Sequence, residues 1–79
     1  GESTMLNTRR LAKEIYALNE EMKQLESKRA RSMASILESL ISRTEPNQTE
    51  VQFFRTYTAQ IDIKREQLQK LTKQLEREI

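Results

Sequence analysis

The side chains of this chain that could take part in chemistry are carboxylates, amines, guanidinium groups and hydroxyls. The sequence has 14 Lys and Arg against 12 Asp and Glu, and it contains neither His nor Cys. The most frequent general base, the thiol nucleophile and the usual zinc ligands are therefore missing. A single Gly cannot build a phosphate-binding loop, and two helices side by side are expected to leave no concave ligand pocket. We expect no catalytic activity, no cofactor, no metal site and no small-molecule ligand.

The basic residues are the remaining candidates for a binding site. Lys28, Arg29 and Arg31 form the one local concentration of positive charge, and Lys64 and Arg65 form a smaller one. If the two groups meet, they make a basic belt that could bind an acidic partner or a nucleic-acid backbone. The net charge of only +2 and the alternating signs along the chain favour a solvated or ion-paired layer with outward-reaching charged ends.

Two long helices must position these residues. Pro46 cannot lie inside a helix and disfavours the helical conformation of the residue before it. Asn47, three residues ahead of Glu50, is typical of a helix N-cap. The sequence predicts an all-α, antiparallel two-helix coiled-coil hairpin with helices over about 6–43 and 47–79 and a turn at 44–48.

Residues 1–4 precede Met5 and are interpreted as a remnant of cloning, so that residues 5–79 form a single hairpin. Apolar runs are no longer than two or three residues, which is too short for a membrane span or a secretory signal. We therefore expect a cytoplasmic protein that does not bind membranes.

Apolar residues in both segments recur at alternating steps of three and four, the spacing of a heptad seam. The seam is interrupted at Arg29 in the first helix and at Lys64 in the second. Folding the chain about Pro46 pairs residues whose numbers add to about 92, which places Leu25 beside Leu68 and brings the two interruptions together. In the second helix the seam residues are Phe54, Tyr57, Ile61, Leu68, Leu71 and Leu75, and in the first they are Leu11, Ile15, Leu18, Met22 and Leu25. After Arg29 the apolar residues of the first helix resume in a wider stripe, shifted by about one helical turn, at Met33, Ile36, Leu37, Leu40 and Ile41.

Apolar residues near the turn outnumber the positions that one seam can bury. Phe54 and Tyr57 are expected to face four residues of the first helix, Ile36, Leu37, Leu40 and Ile41. A two-helix hairpin has no third surface for the apolar residues beside them. Either these residues surround a small local core and are partly exposed, or they contact a partner, for which a second copy in a four-helix-bundle homodimer is favoured. The predicted partner interface consists of Val51, Phe53, Phe54, Tyr57, Leu37 and Ile41.

The sequence thus predicts a non-catalytic coiled-coil module for protein–protein interaction or oligomerisation. Residues 47–79 loosely resemble the second arm of coiled-coil stalk proteins of flagellar and type III secretion export, and this resemblance implies a stalk component of a larger assembly. The acidic-proline turn between equal helices is similar to the amino-terminal hairpin of hantavirus-type nucleoproteins, which implies a nucleic-acid-binding accessory role. A small helical adaptor or chaperone for a different protein is a further alternative. We carry over no residue role from these families.

Overall fold

Two helices make up the hairpin. A computed structural model of the chain describes residues 2–79, with side chains from residue 4 onward. Helix α1 spans Glu2–Ile41 and helix α2 spans Gln48–Glu78, and the described chain contains no strand. Both segments are rich in Leu, Glu, Lys, Arg and Gln, which have high helix propensity. The hairpin measures 62 × 16 × 15 Å, and the predicted all-α helical hairpin is confirmed. The remnant predicted at 1–4 lies largely outside the residues whose side chains are described.

Helix α1 ends two residues earlier than predicted because Arg43 adopts a left-handed backbone conformation, with a φ of 58°. The amide of Arg43 donates to the carbonyl of Leu40 at 3.1 Å, and the amide of Thr44 donates to the carbonyl of Ser39 at 2.9 Å. These two bonds are those of a Schellman motif, which satisfies carbonyls that the end of a helix leaves without partners. The chain therefore reverses at Arg43, while Pro46 lies in the connector that follows.

Helix α2 begins with the predicted cap. The side-chain oxygen of Asn47 accepts from the amides of Thr49 at 2.8 Å and Glu50 at 3.3 Å. Asn47 itself has an extended backbone, as an N-cap residue requires. The connector between the helices is thus defined at both ends by backbone hydrogen bonding.

The register of the two helices differs from the predicted one by seven residues. Asn7 donates a hydrogen bond to Glu78, and Lys64 forms an ion pair with Glu21. In both pairs the residue numbers add to 85, so the predicted sum of about 92 is wrong. The physical reason is the site of reversal, which is Arg43 and not Pro46. In this register Leu11 lies beside α2 and is completely buried, whereas the predicted register would have left it beyond the end of α2.

The facing sides of the helices form what we call the contact seam, and it is lightly packed. Its buried apolar residues are Leu11, Met22 and Ile61, and Ser32 is buried with them. Most other seam positions are half-buried, because two helices alone cannot enclose a side chain on all sides. Within residues 2–79, neither helix has an apolar stretch long enough to cross a membrane. The half-buried seam residues are Ile15, Leu18, Leu25, Arg29, Ile36, Ser39, Phe54, Tyr57, Lys64, Leu68, Leu71 and Leu75.

Candidate interaction surface

The half of the contact seam closest to the turn is polar on the α1 side. Burial continues through Arg29, Ser32, Ile36 and Ser39 at the same steps of three and four, without the predicted shift. The prediction that apolar residues resume the seam after Arg29 therefore holds for Ile36 and fails for the residues that follow it. Ser32 is buried in this half of the seam and lines the same groove as Phe53 and Tyr57.

The apolar residues that the seam does not use form an outer stripe along the last three turns of α1. We define the outer stripe as Ala30, Met33, Leu37, Leu40 and Ile41. Met33 is half-buried and Ala30 is exposed, while Leu37, Leu40 and Ile41 are 48%, 57% and 81% exposed. Elsewhere between residues 4 and 79, the large exposed apolar residues lie singly or at the two chain ends. Isolated exposed residues are ordinary, whereas a contiguous apolar strip marks an interaction site.

The six residues of the predicted partner interface do not share one surface. Phe54 lines a cavity of about 330 Å³ together with Met33 and Ala30, on the side of the outer stripe. Phe53 lines a different cavity of about 290 Å³ with Lys28 and Arg31. Consecutive residues of a helix point about 100° apart, which explains why neighbouring aromatic rings flank the seam on opposite sides.

The other members of that predicted set are also divided. Tyr57 lies on the seam and packs near Phe53, with 6.2 Å between the ring centroids. Val51 is half-buried in the first turn of α2, and Leu37 and Ile41 belong to the outer stripe. The expectation that these two aromatic residues face Ile36, Leu37, Leu40 and Ile41 is wrong. In the observed register the α1 residues opposite Phe54 and Tyr57 lie about two helical turns further from the connector.

The five basic residues likewise do not form one belt. Lys64 pairs with Glu21 across the helices, and Arg65 lies 3.3 Å from Asp62 on its own helix. Arg29 is half-buried on the seam, one heptad or more away from Lys64, so the predicted meeting of the two seam interruptions does not occur. Lys28 shares one groove with Lys64 and others with Arg31, whereas Arg65 lines a separate groove. Neutralising partners and this separation reduce the positive potential available to a phosphate backbone.

An open groove at the middle of the hairpin was not foreseen from the sequence. It encloses about 550 Å³, so the expectation of no ligand-sized concavity is wrong. Leu25 and Ile63 supply its apolar surface, and the Glu21–Lys64 pair lies across it. The polar walls carry both signs of charge, which gives no preference for an anion or a cation. Its lining residues are Glu20, Glu21, Gln24, Leu25, Lys28, Gln60, Ile63, Lys64 and Gln67.

Comparisons with known proteins give no family or relative for this chain. No model of a protein family, no curated protein and no solved structure matches the chain. The candidate site therefore rests on the residues alone. Of the surfaces described, the outer stripe is the one that is continuous, apolar and unused by the hairpin. The steps of three and four that define the seam continue through Arg29, Ser32 and Ser39. Had these polar residues been assigned to the seam, the sequence would have distinguished the outer stripe from it.

Proposed function

We propose that this protein is a non-catalytic oligomerisation module, a coiled-coil hairpin that pairs with a second copy to form a four-helix bundle in the cytoplasm. The observation that carries the proposal is the outer stripe, in which Leu37, Leu40 and Ile41 stand exposed within five residues. A helix whose apolar surface extends beyond one seam requires a second packing partner. The absence of cysteine supports the cytoplasm as the compartment, since small secreted domains are commonly stabilised by disulfides.

The total exposed area supports self-association. The hairpin exposes 6182 Å² for a mass of 9.4 kDa, whereas a folded monomer of that mass exposes about 5,000 Å². The excess of roughly 1,200 Å² is larger than the roughly 800 Å² that each partner contributes to a stable interface. A second hairpin could therefore cover enough surface to bring this chain to the exposure of an ordinary globular protein.

The light packing of the contact seam supports the same proposal. Only three apolar residues are buried in the described chain, and only two of them completely. A core this small supplies little stability to a chain of fewer than about 80 residues. Small helical proteins commonly gain the missing stability by oligomerisation. Pairing would bury the outer stripe and protect the seam beside it from water.

Sedimentation equilibrium over low to high micromolar concentrations tests the proposal. The mass should rise with concentration from 9.4 kDa towards twice that value, because association follows mass action. The melting temperature should rise with concentration for the same reason. A mass of 9.4 kDa throughout, with full helicity by circular dichroism, would contradict self-association and favour the adaptor alternative, in which a different protein covers the stripe.

A further inference from the structure

We infer that the second copy docks along the outer stripe in an antiparallel orientation, α1 against α1, about a twofold axis level with Ser35. The inference rests on the proposed self-association and adds its geometry. It places α1 at the centre of the assembly, while each α2 remains on the outside. The basis is a second repeat in α1, which lies beside the contact seam and has its own symmetry.

The second repeat runs through Glu26, Ala30, Met33, Leu37 and Leu40 at steps of four, three, four and three. This is the spacing at which residues line one side of a helix that packs against another helix. The contact seam is displaced from it by about a quarter turn around α1. The helix can therefore contact α2 through one line of residues and a second copy through the other.

The repeat is complementary to itself when it is reversed about Ser35. Ala30 then lies opposite Leu40 of the second copy, and Met33 lies opposite Leu37 of the second copy. The small Ala30 thus meets the large Leu40 at the two ends of the contact, and Met33 packs against Leu37 at its centre, which lets the side chains interdigitate. Ile41 flanks the line and lies beside the small Ala30 of the second copy, and both residues are exposed in the free hairpin. Each contact occurs twice, as a twofold axis requires.

The charges at the ends of the stripe are complementary in the same arrangement. Glu26 stands just before the stripe and Arg43 just after it, and both are exposed. Reversal about Ser35 brings Glu26 of one copy level with residues 43–44 of the other, so two carboxylate–guanidinium contacts close the interface. A parallel arrangement would instead place Glu26 beside Glu26 and Arg43 beside Arg43. Opposite charges at facing positions select orientation, and like charges oppose it.

The antiparallel arrangement produces a two-ended rod. The copies overlap only over the part of α1 between about residues 26 and 43, so the ends of the hairpins opposite the turn point in opposite directions. At about 1.5 Å per residue, those two ends lie roughly 90 Å apart. The assembly would therefore hold anything bound at those ends at a fixed and large separation.

Distances between spin labels test this geometry. Cysteines introduced singly by Ala34→Cys and Lys13→Cys occupy exposed sites on the same side of α1, and the chain has no other cysteine. Labels at residue 34 should lie less than about 20 Å apart, because packed helix axes are about 8–10 Å apart. Labels at residue 13 stand 22 residues from the axis in each copy, which places them about 66 Å apart at about 1.5 Å per residue. Circular dichroism and the sedimentation mass of each labelled variant establish that it is a folded dimer.

The outcomes separate this inference from the proposed function. Short distances at both sites would show a parallel dimer, and a long distance at residue 34 in a chain of dimeric mass would show a different interface. Either result overturns the antiparallel arrangement and leaves self-association standing. A monomeric mass at every concentration would overturn both. Only the combination of a short distance at residue 34 and a long one at residue 13 supports the arrangement.

Discussion

The contrast between Ile61 and Ile63 gives a direct test of how α2 is oriented in the hairpin. The two residues are identical and lie two positions apart in the middle of one helix. Ile61 is completely buried, whereas Ile63 is 59% exposed on the rim of the open groove. The substitutions Ile61→Ala and Ile63→Ala therefore change the same atoms in different surroundings, and each serves as the control for the other.

The expected losses follow from the burial. Replacing Ile by Ala removes three carbon atoms, worth about 0.8 kcal/mol each when fully buried, and a remaining cavity adds to that loss. Ala gains about 0.4 kcal/mol in helix propensity at both sites. We expect Ile61→Ala to lower the free energy of unfolding by about 2–3 kcal/mol. Scaling the transfer energy by the buried fraction, we expect Ile63→Ala to lower it by only about 0.5 kcal/mol.

The assay is urea unfolding followed by far-ultraviolet circular dichroism, with all samples at one protein concentration because association contributes to stability. The two variants should differ by about 2 kcal/mol in the free energy of unfolding. Equal losses, or a larger loss for Ile63→Ala, would show that α2 is rotated about its axis relative to the structure. The contact seam and the assignment of the outer stripe would then both be wrong.

Three further substitutions test the turn, the cap and the seam, all by the midpoint of urea unfolding. At a protein concentration where the chain is monomeric, Arg43→Gly should stabilise the hairpin by about 0.5 kcal/mol, because relief of a left-handed conformation worth about 1–2 kcal/mol exceeds the added flexibility of glycine. An unchanged or lower midpoint under those conditions would count against the Schellman turn. Asn47→Ala should destabilise it by about 1 kcal/mol, and Asn47→Gly by only a few tenths, whereas equal losses would mean that the side chain does not cap α2. Lys64→Leu should stabilise it by about 1 kcal/mol, since burying an apolar residue on the seam outweighs an ion pair whose carboxylate partner, Glu21, is half exposed to water. A clear loss of stability would show that this pair holds the helices together.

The fold was predictable because it follows from strong local signals. Pro46 and the capping residue Asn47 divide the chain, and the spacing of apolar residues such as Leu18 and Leu71 defines the sides that pack. These signals act within a few residues, so a single sequence displays them. The bounds of α2 were correct to within one residue. Helix α1 begins at Glu2, four residues before its predicted start, and ends at Ile41, two residues before its predicted end, because Arg43 is a residue type that rarely adopts a left-handed conformation.

The register was not predictable in the same way, because the seam repeats every seven residues. A displacement by one repeat again pairs Leu with Leu, and composition alone does not distinguish the two alignments. The site of chain reversal decides between the two alignments. In the sequence, Pro46 indicated a reversal more strongly than Arg43 did. Leu11 provided a further constraint on the register, since the predicted alignment left this apolar residue without a partner on α2.

The candidate site was predicted in its location and not in its composition. Surplus apolar residues do lie near the turn, and Leu37 and Ile41 belong to the outer stripe. Phe53 and Phe54 were grouped with them because they are close in sequence, although a helix directs adjacent side chains to different sides. Leu40 was predicted to face Phe54 and Tyr57. In the structure Ser39 occupies the seam position, and Leu40 is 57% exposed beside it.

The measurement that tests the central claim most directly is the solution mass of two charge variants, Leu37→Glu and Ile63→Glu, by light scattering at a concentration where the unaltered chain is dimeric. Leu37 is 48% exposed on the outer stripe, and Ile63 is 59% exposed at the open groove, so neither change should unfold the hairpin. We predict that Leu37→Glu gives the monomer mass of 9.4 kDa with helicity retained, because burying an unpaired carboxylate opposes association. Ile63→Glu should keep the dimer mass. A dimer for Leu37→Glu, or dissociation of Ile63→Glu alone, would contradict the assignment of the outer stripe as the surface through which this protein associates.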